Sequence, residues 1–241
     1  MDLLSTGRVR RVICHQRGPC ISLYHLIGGE DDLARRGSLV ERAAVQLLET
    51  FSSRGNRRAA PLVAALDRLV RQATESSSGA AIATFCAPGF ETSFVLPNPV
   101  VESVRVADRF DVRPILALWK DPTRFYLLAV EGAQARMGLG TSRGLALSEI
   151  PLEDPARTDR RLARMLRLES APVVIAATRE AQGTFDQLRR LTQVITLPDE
   201  LAGQPLTELH QHAVRAAASV SQDRTVAPGF GAADDNEDVN D

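Results

Sequence analysis

The sequence predicts an α/β protein with mixed sheets, in which short strands and amphipathic helices alternate along most of its 241 residues. Short apolar, β-favouring runs bounded by Gly and Pro turns predict the strands, and longer stretches with apolar residues at i, i+3 and i+4 predict the helices. The second half is predicted to contain three strands, a helix, a strand and a helix, an order that indicates a mixed sheet covered by helices. Aromatic residues make up only 5% of the chain, so we expect a core of Leu, Val, Ile and Ala.

The first half is predicted to contain a strand, two long helices, three short strands and a short helix. After an arginine-bearing lead-in, the apolar run CISLYHL at Cys20–Leu26 predicts the first strand. The long helices are predicted from their apolar faces, which comprise Leu39, Ala43, Val45, Leu47 and Leu48 in the first and Leu62, Ala65, Leu66, Leu69 and Val70 in the second. The polar segment SSRGN joins them. The predicted bounds are Leu33–Phe51 and Ala59–Ala73 for the long helices, Ala80–Cys86, Thr92–Leu96 and Val101–Val106 for the strands, and Pro114–Trp119 for the short helix.

The second half is predicted to begin at Asp121-Pro122 with a three-stranded meander, followed by helices and strands in alternation. The apolar run at Pro172–Ala177 predicts a strand that is buried on both faces. Beyond Gln222 the composition is polar and acidic, and no structure is predicted. The other predicted bounds are Arg124–Val130, Ala133–Leu139 and Gly144–Ile150 for the meander, Pro155–Leu168, Glu180–Leu191 and Thr207–Val220 for helices, and Thr192–Leu197 for the last strand.

Charge is unevenly distributed along the chain. The last eight residues contain five acidic residues, and without them the net charge of −1 would become +4. Such an arrangement suits an RNA-binding protein that carries its own competitor, whereas a solvated, disordered end is our default interpretation. Lys120 is the single lysine among 29 basic residues. Codon bias is the favoured cause, and phosphate recognition by guanidinium groups is the alternative.

The sequence also indicates the cellular compartment in which the protein is expected. No apolar run approaches the roughly 20 residues that a membrane-spanning helix needs. The amino-terminal segment has no apolar region followed by a cleavage site, so we expect no secretory signal. Three cysteines (Cys14, Cys20 and Cys86) do not suggest a disulfide framework. We therefore expect a cytoplasmic protein with no membrane partner.

Seven segments, in this order, resemble bacterial families related to the archaeal and eukaryotic peptide-chain release factors. The most specific are DRFDVRPILALW and TELHQHA, and the resemblance covers most of residues 11–220. The seven segments are PCISLYHL at 19–26, AAIATFCAPG at 80–89, FVLPNPV at 94–100, DRFDVRPILALW at 108–119, RFYLLAV at 124–130, APVVIAATREAQGTFDQL at 171–188 and PLTELHQHAV at 205–214.

The resemblance implies an amino-terminal α/β domain at residues 10–120 and a shortened RNase H-like middle domain at 122–222, and the composition predicts a disordered acidic tail at 223–241. In release factors the middle domain carries a Gly-Gly-Gln loop that promotes peptidyl-tRNA hydrolysis, and a third domain recruits a GTPase. This sequence has no Gly-Gly-Gln: Gly28-Gly29 precedes Glu30, and Gln134 follows Gly132-Ala133 in a predicted strand turn. The segment between Ile150 and Ala171 is reduced to one helix, and we expect the third domain to be absent or supplied by a partner protein.

The helix predicted at residues 155–168 carries five arginines on one side. At about 100° per residue, these arginines fall within a sector of roughly 120°, with Leu162, Met165 and Leu166 opposite. Such a stripe could follow a phosphate backbone. The plain alternative, which we place slightly ahead, is a solvated face that Glu153, Asp154 and Asp159 partly neutralise. The predicted nucleic-acid-binding residues are Arg157, Arg160, Arg161, Arg164 and Arg167, hereafter the arginine stripe.

Other motifs predict no catalytic, cofactor or metal site. The glycines between Gly138 and Gly144 lack the spacing of a phosphate-binding loop, and a hairpin explains them better. Cys14, His15 and Cys20 lack a fourth zinc ligand, and His25 has no recognisable nucleophile as a partner. His210 and His212, two residues apart on a helix, are expected to point to different faces. Asp121, Glu131, Glu149 and Asp154 show no pattern that a metal-dependent nuclease would require.

We therefore predict a non-catalytic, translation-related factor that binds the ribosome or structured RNA. Two alternatives stay open. One is a hydrolase that acts on RNA or tRNA through an unrecognised site. The other is a protein–protein interaction module that has lost ribosome binding and pairs with another chain.

Overall fold

The structure is a computed structural model that describes residues 4–15, 18–29, 31–51, 59–75, 78–132, 134–152, 154–191 and 193–225. Within these ranges the chain forms two β-sheets with eight α-helices packed on them, so the predicted mixed α/β class is confirmed. The helices are α1 Thr6–Cys14, α2 Asp32–Phe51, α3 Ala59–Glu75, α4 Arg113–Trp119, α5 Pro155–Leu166, α6 Arg179–Gln182, α7 Asp186–Leu191 and α8 Leu206–Thr225. None of the described helices combines the length and apolar composition that crossing a membrane requires.

The first sheet contains four antiparallel strands in the order β3-β2-β1-β4. Its two faces differ because side chains alternate along each strand. Ile21 and Leu23 pack against α2 and α3, whereas Cys20 and Tyr24 face the larger core. The strands are β1 Cys20–Leu26, β2 Ala81–Ala87, β3 Phe90–Leu96 and β4 Ser103–Ala107.

The second sheet has the order β7-β6-β5-β8-β9, in which the β5–β8 and β8–β9 pairs are parallel and the others antiparallel. Numbered within this half, the order is 3-2-1-4-5 with the meander at one edge, which is the arrangement of an RNase H-like sheet. β8 is buried along its whole length, as its apolar sequence predicts. The strands are β5 Phe125–Glu131, β6 Gln134–Thr141, β7 Gly144–Pro151, β8 Val173–Ala176 and β9 Val194–Thr196.

Helices cover both faces of the second sheet. Tyr126 and Leu128 of β5 share a core with α5 and α7, whereas Phe125 and Leu127 pack with α8 on the other face. The core on the α5 side also contains Tyr24 and other residues of the first sheet, so one apolar cluster joins the two halves. This placement fixes α5 on the outside of the sheet with one face inward.

Several elements differ from prediction. α1 occupies the supposed lead-in, where buried Val9 and Val12 lie three residues apart. In α2, Val45 and Leu48 are exposed, so the buried face is narrower than predicted. α8 extends to Thr225, past the predicted start of the tail. The remainder of that tail, 226–241, and the SSRGN loop lie outside the described residues.

The predicted helix at residues 180–191 is two helices, α6 and α7. Gly183 follows α6, and Phe185, which is fully buried, directs the chain into the core before α7 begins. The Gln182 side chain donates to the carbonyl of Ala177 at 2.7 Å, which holds the break against the end of β8. The good helix formers on either side of Gly183 favour one continuous helix, whereas burial of Phe185 imposes the interruption.

The predicted hairpin between Gly138 and Gly144 is confirmed, since β6 and β7 pair across Thr141 and Gly144. Gly138 is required by close packing: a Cβ atom there would lie 1.7 Å from the carbonyl oxygen of Ala146. Gly140 lies against the ring of Phe125 in the same way. These glycines allow close packing within the sheet, so they are not part of a phosphate-binding loop.

Gly138→Ala should lower the free energy of unfolding by about 1–3 kcal/mol, because the two strands must separate to admit a methyl group. Gly37→Ala is the matched control, since Gly37 lies within α2 with open space around its Cα and alanine favours a helix by about 1 kcal/mol. Urea unfolding followed by circular dichroism measures both. Equal stability of Gly138→Ala and the natural chain would contradict the packing described here.

Candidate nucleic-acid interface

Helix α5 is defined at both ends by local interactions. Asp154 is the N-cap, and its carboxylate accepts from the backbone N–H of Arg157 at 2.9 Å. Pro155 occupies the first turn, where its fixed φ and missing N–H are tolerated. The helix ends at Leu166, two residues earlier than predicted, and Arg167 becomes the C-cap with helical dihedral angles. The arginine stripe therefore lies on one rigid element and its cap.

The two sides of α5 have opposite roles. Leu162, Ala163 and Leu166 are almost completely buried in the core above β5 and β8. The arginine stripe lies on the other side, and all five of its members are exposed. The predicted division of the helix is confirmed, and it follows from the i, i+3, i+4 spacing of both sets.

Asp159 does not neutralise the stripe, contrary to expectation. Its side chain is turned inward, with 4% of its surface exposed, and accepts from the backbone N–H groups of Gln187 and Leu188 at 2.8 and 2.9 Å. Asp159 thus caps the first turn of α7. Asp154 is engaged as the N-cap of α5, and Glu153 lies outside the described residues.

The guanidinium groups of the stripe are unpaired within the described part of the chain. None of them makes an ion pair or a side-chain hydrogen bond with another described residue. Other exposed arginines, such as Arg68 and Arg113, pair with carboxylates at 2.6 and 2.5 Å. Among the residues that the structure describes, no side chain therefore neutralises the stripe by direct pairing.

Two further arginines extend this charge, and the sequence interpretation did not include them. Arg189 and Arg190 are exposed on α7, which packs directly beside α5. Arg189 also donates to the hydroxyl of Thr196 at 3.4 Å. Their sequence signal is the Arg-Arg pair after Leu188, but only the contact of α7 with α5 places that pair beside the stripe.

A buried charged cluster anchors the segment that follows α5. The carboxylate of Glu169 accepts from the backbone N–H of Thr6 and lies 3.8 Å from the Arg124 guanidinium. Burial raises the pKa of Glu169, against the opposing effects of Thr6 and Arg124. Tyr126 donates to the carbonyl of Leu4 at 2.9 Å, and its burial raises its pKa as well. This cluster fixes the carboxyl end of α5 against the amino-terminal segment.

The other residues considered from the sequence have structural roles. His25 is fully buried, with its ring nitrogens 2.9 Å from Asp32 and 3.1 Å from Glu102, a pairing that the sequence did not suggest. His210 donates from Nε2 to the carbonyl of Thr141 at 2.7 Å. Cys20 is buried and its thiol donates to the carbonyl of Asp108 at 3.5 Å, Cys14 is exposed, and neither forms a disulfide. Among the described residues, no three His, Cys, Asp or Glu side chains form a group suited to a metal ion.

Comparison with known proteins gives distant structural similarity. The chain is similar to an archaeal translation termination factor, with 15% identity and a TM-score of 0.39 over 92% of this chain and 77% of that one. It is also similar to a structure described as an archaeal protein, with 17% identity and a TM-score of 0.30 over 94% and 77%. No family model and no curated protein sequence matches the chain. At these values the similarity establishes neither family membership nor function.

Asp159→Ala should lower the free energy of unfolding by about 1–3 kcal/mol, because two N–H groups of α7 lose their acceptor. Asp159→Asn, which keeps one acceptor oxygen, is the matched control and should cost less. Thermal unfolding of both variants measures the difference. A melting temperature of the alanine variant equal to that of the natural chain would contradict the capping role.

Glu169 should make stability depend on pH. Its folded pKa is raised above the ordinary value of 4.5, so its contribution is complete below that pH and is lost as the pH rises through the folded value. Urea midpoints of the natural chain should therefore fall relative to those of Glu169→Gln between acidic and neutral pH. Parallel pH profiles of the two proteins would rule out this assignment.

Proposed function

We propose that the arginine stripe binds structured RNA and that the protein is a non-catalytic, ribosome-associated factor related to translation. The observation that supports this most directly is the set of five exposed, unpaired guanidiniums on one side of α5, with Asp154 and Asp159 engaged elsewhere. If the arginines served only to keep this face solvated, ion pairs with neighbouring carboxylates would do no harm. No residue of the described ranges pairs with these guanidiniums, which supports their availability to a ligand.

The dimensions of the stripe suit a phosphate backbone. From Arg157 to Arg167 the helix axis advances about 15 Å at 1.5 Å per residue. A nucleic-acid duplex carries roughly nine phosphate charges over that length, at about 1.7 Å of axis per charge. Guanidinium groups bind phosphate oxygens in a bidentate manner, which favours arginine over lysine at such a surface.

The ribosome is the proposed source of this RNA because the sequence segments resemble release-factor-like families. The lack of a Gly-Gly-Gln sequence supports a role without peptidyl-tRNA hydrolysis. We expect the stripe to contact phosphates and to recognise the shape of an RNA helix without reading its bases. In this proposal the RNA is ribosomal RNA in the cytoplasm. A partner protein that supplies the function of a third domain is compatible with this role.

Replacing Arg160, Arg161 and Arg164 with Glu should abolish co-sedimentation with ribosomes in a sucrose gradient, because repulsion replaces attraction at the centre of the stripe. The matched control replaces Arg42, Arg109 and Arg215 with Glu. These are also exposed, lie outside α5 and change the net charge equally. Loss of binding in the control alone, or in neither variant, would overturn the proposed function.

The affinity for ribosomal RNA should fall about 100- to 500-fold between 50 and 200 mM salt, as expected when about five phosphate contacts form. Fluorescence anisotropy with a labelled ribosomal RNA hairpin measures this dependence. The triple Glu variant should retain at most about two of the five contacts, and its salt dependence should be correspondingly shallow. An affinity that does not change with salt would contradict a phosphate-binding surface.

A further inference from the structure

The end of helix α8 lies near the end of α5. Val220, in the last two turns of α8, lines a cavity of about 230 Å³ together with Ser170, Ala171 and Pro172. Ser170 follows Arg167, the last member of the arginine stripe, by only three residues. The cavity therefore places the last two turns of α8 beside the residues that follow the stripe.

The segment that follows α8, residues 226–241, is opposite in charge to the stripe. It contains no Lys or Arg and five acidic residues, Asp234, Asp235, Glu237, Asp238 and Asp241. The stripe contains five arginines without a partner among the described residues. The two sets are thus equal in number and opposite in sign.

The segment is long enough to reach the whole stripe. Sixteen extended residues span at most about 55 Å, at roughly 3.4 Å per residue. The stripe itself runs about 15 Å along α5, so about 40 Å of this length is left to cover the way from the end of α8 to Arg167. A tethered segment of this length also has an effective concentration of the order of millimolar, so weak ion pairs suffice to populate a docked state.

From these observations we infer that residues 226–241 dock on the arginine stripe of the same chain and compete with polyanions for it. The docking itself follows from charge and position, whereas the competition rests on the proposed function. When the docked state is populated to about 90%, the apparent affinity for RNA falls about 10-fold, because only the open fraction binds. The segment then acts as a built-in competitor that strong polyanions displace and weak ones do not.

Docking can be measured without RNA. A nitroxide is attached to Asn236→Cys in the full chain carrying Cys14→Ser, which leaves the two buried cysteines unlabelled. At about 50 mM salt, where screening is weak, we expect broadening of the backbone amide signals of residues 157–167. The broadening should disappear at about 1 M salt, and in a variant with Arg160, Arg161 and Arg164 changed to Gln. Absence of selective broadening on α5, or its persistence in the Gln variant, would overturn the inference.

A second arm separates this inference from the proposed function. The five acids are changed to Asn or Gln, and binding of the ribosomal RNA hairpin is compared with that of the natural chain. Tighter binding by about 10-fold supports competition, and unchanged binding overturns it. Broadening without RNA binding in either protein would leave the docking intact and overturn the proposed function. RNA binding without broadening would overturn the docking alone.

Discussion

The inward turn of Asp159 is the interaction on which the outer layer of the second sheet depends. This carboxylate joins α5 to α7 by accepting from two backbone N–H groups that would otherwise have no intrahelical partner. The same orientation turns this carboxylate away from the arginine stripe. A single side chain therefore holds α7 in place and does not pair with the arginines of α5.

The rigidity of the stripe comes from both ends of α5 and from the core beneath it. Asp154 caps its start, Leu162 and Leu166 fill the space above the sheet, and Glu169 ties the following segment to Thr6. The apolar cluster continues into the first sheet, so displacing α5 would disturb both halves. Because α5 is held in this way, the backbone positions of the five arginines have a fixed spacing. Less conformational entropy of the helix is then lost when a polyanion binds.

Among the described residues, the arginines fall into two groups, those that pair with carboxylates and those that do not. Some arginines pair with carboxylates, as Arg113 does with Asp111, where the paired guanidinium holds the pKa of the carboxyl below its ordinary value. No described residue pairs with the guanidiniums of the stripe, and the sequence supplies a cluster of five acids beyond α8. In the two proposals the stripe attracts an external polyanion and the chain's own acidic segment, and screening by salt weakens both attractions.

Periodicity alone determined most elements of the fold and the two-sided nature of α5. Strands such as Cys20–Leu26, and the division of leucines from arginines, depend on local spacing that the sequence states directly. The break at Gly183, the additional charges of Arg189 and Arg190, and the pairing of His25 with Asp32 and Glu102 required the tertiary structure. The partners of Asp159 belong to the same group: on a helical wheel it lies on the apolar side, next to Leu166, so the spacing turns it inward, and only the position of α7 shows which backbone groups it meets. Spacing along a chain predicts which face a residue occupies, but the partner on that face is set by elements that are distant in sequence.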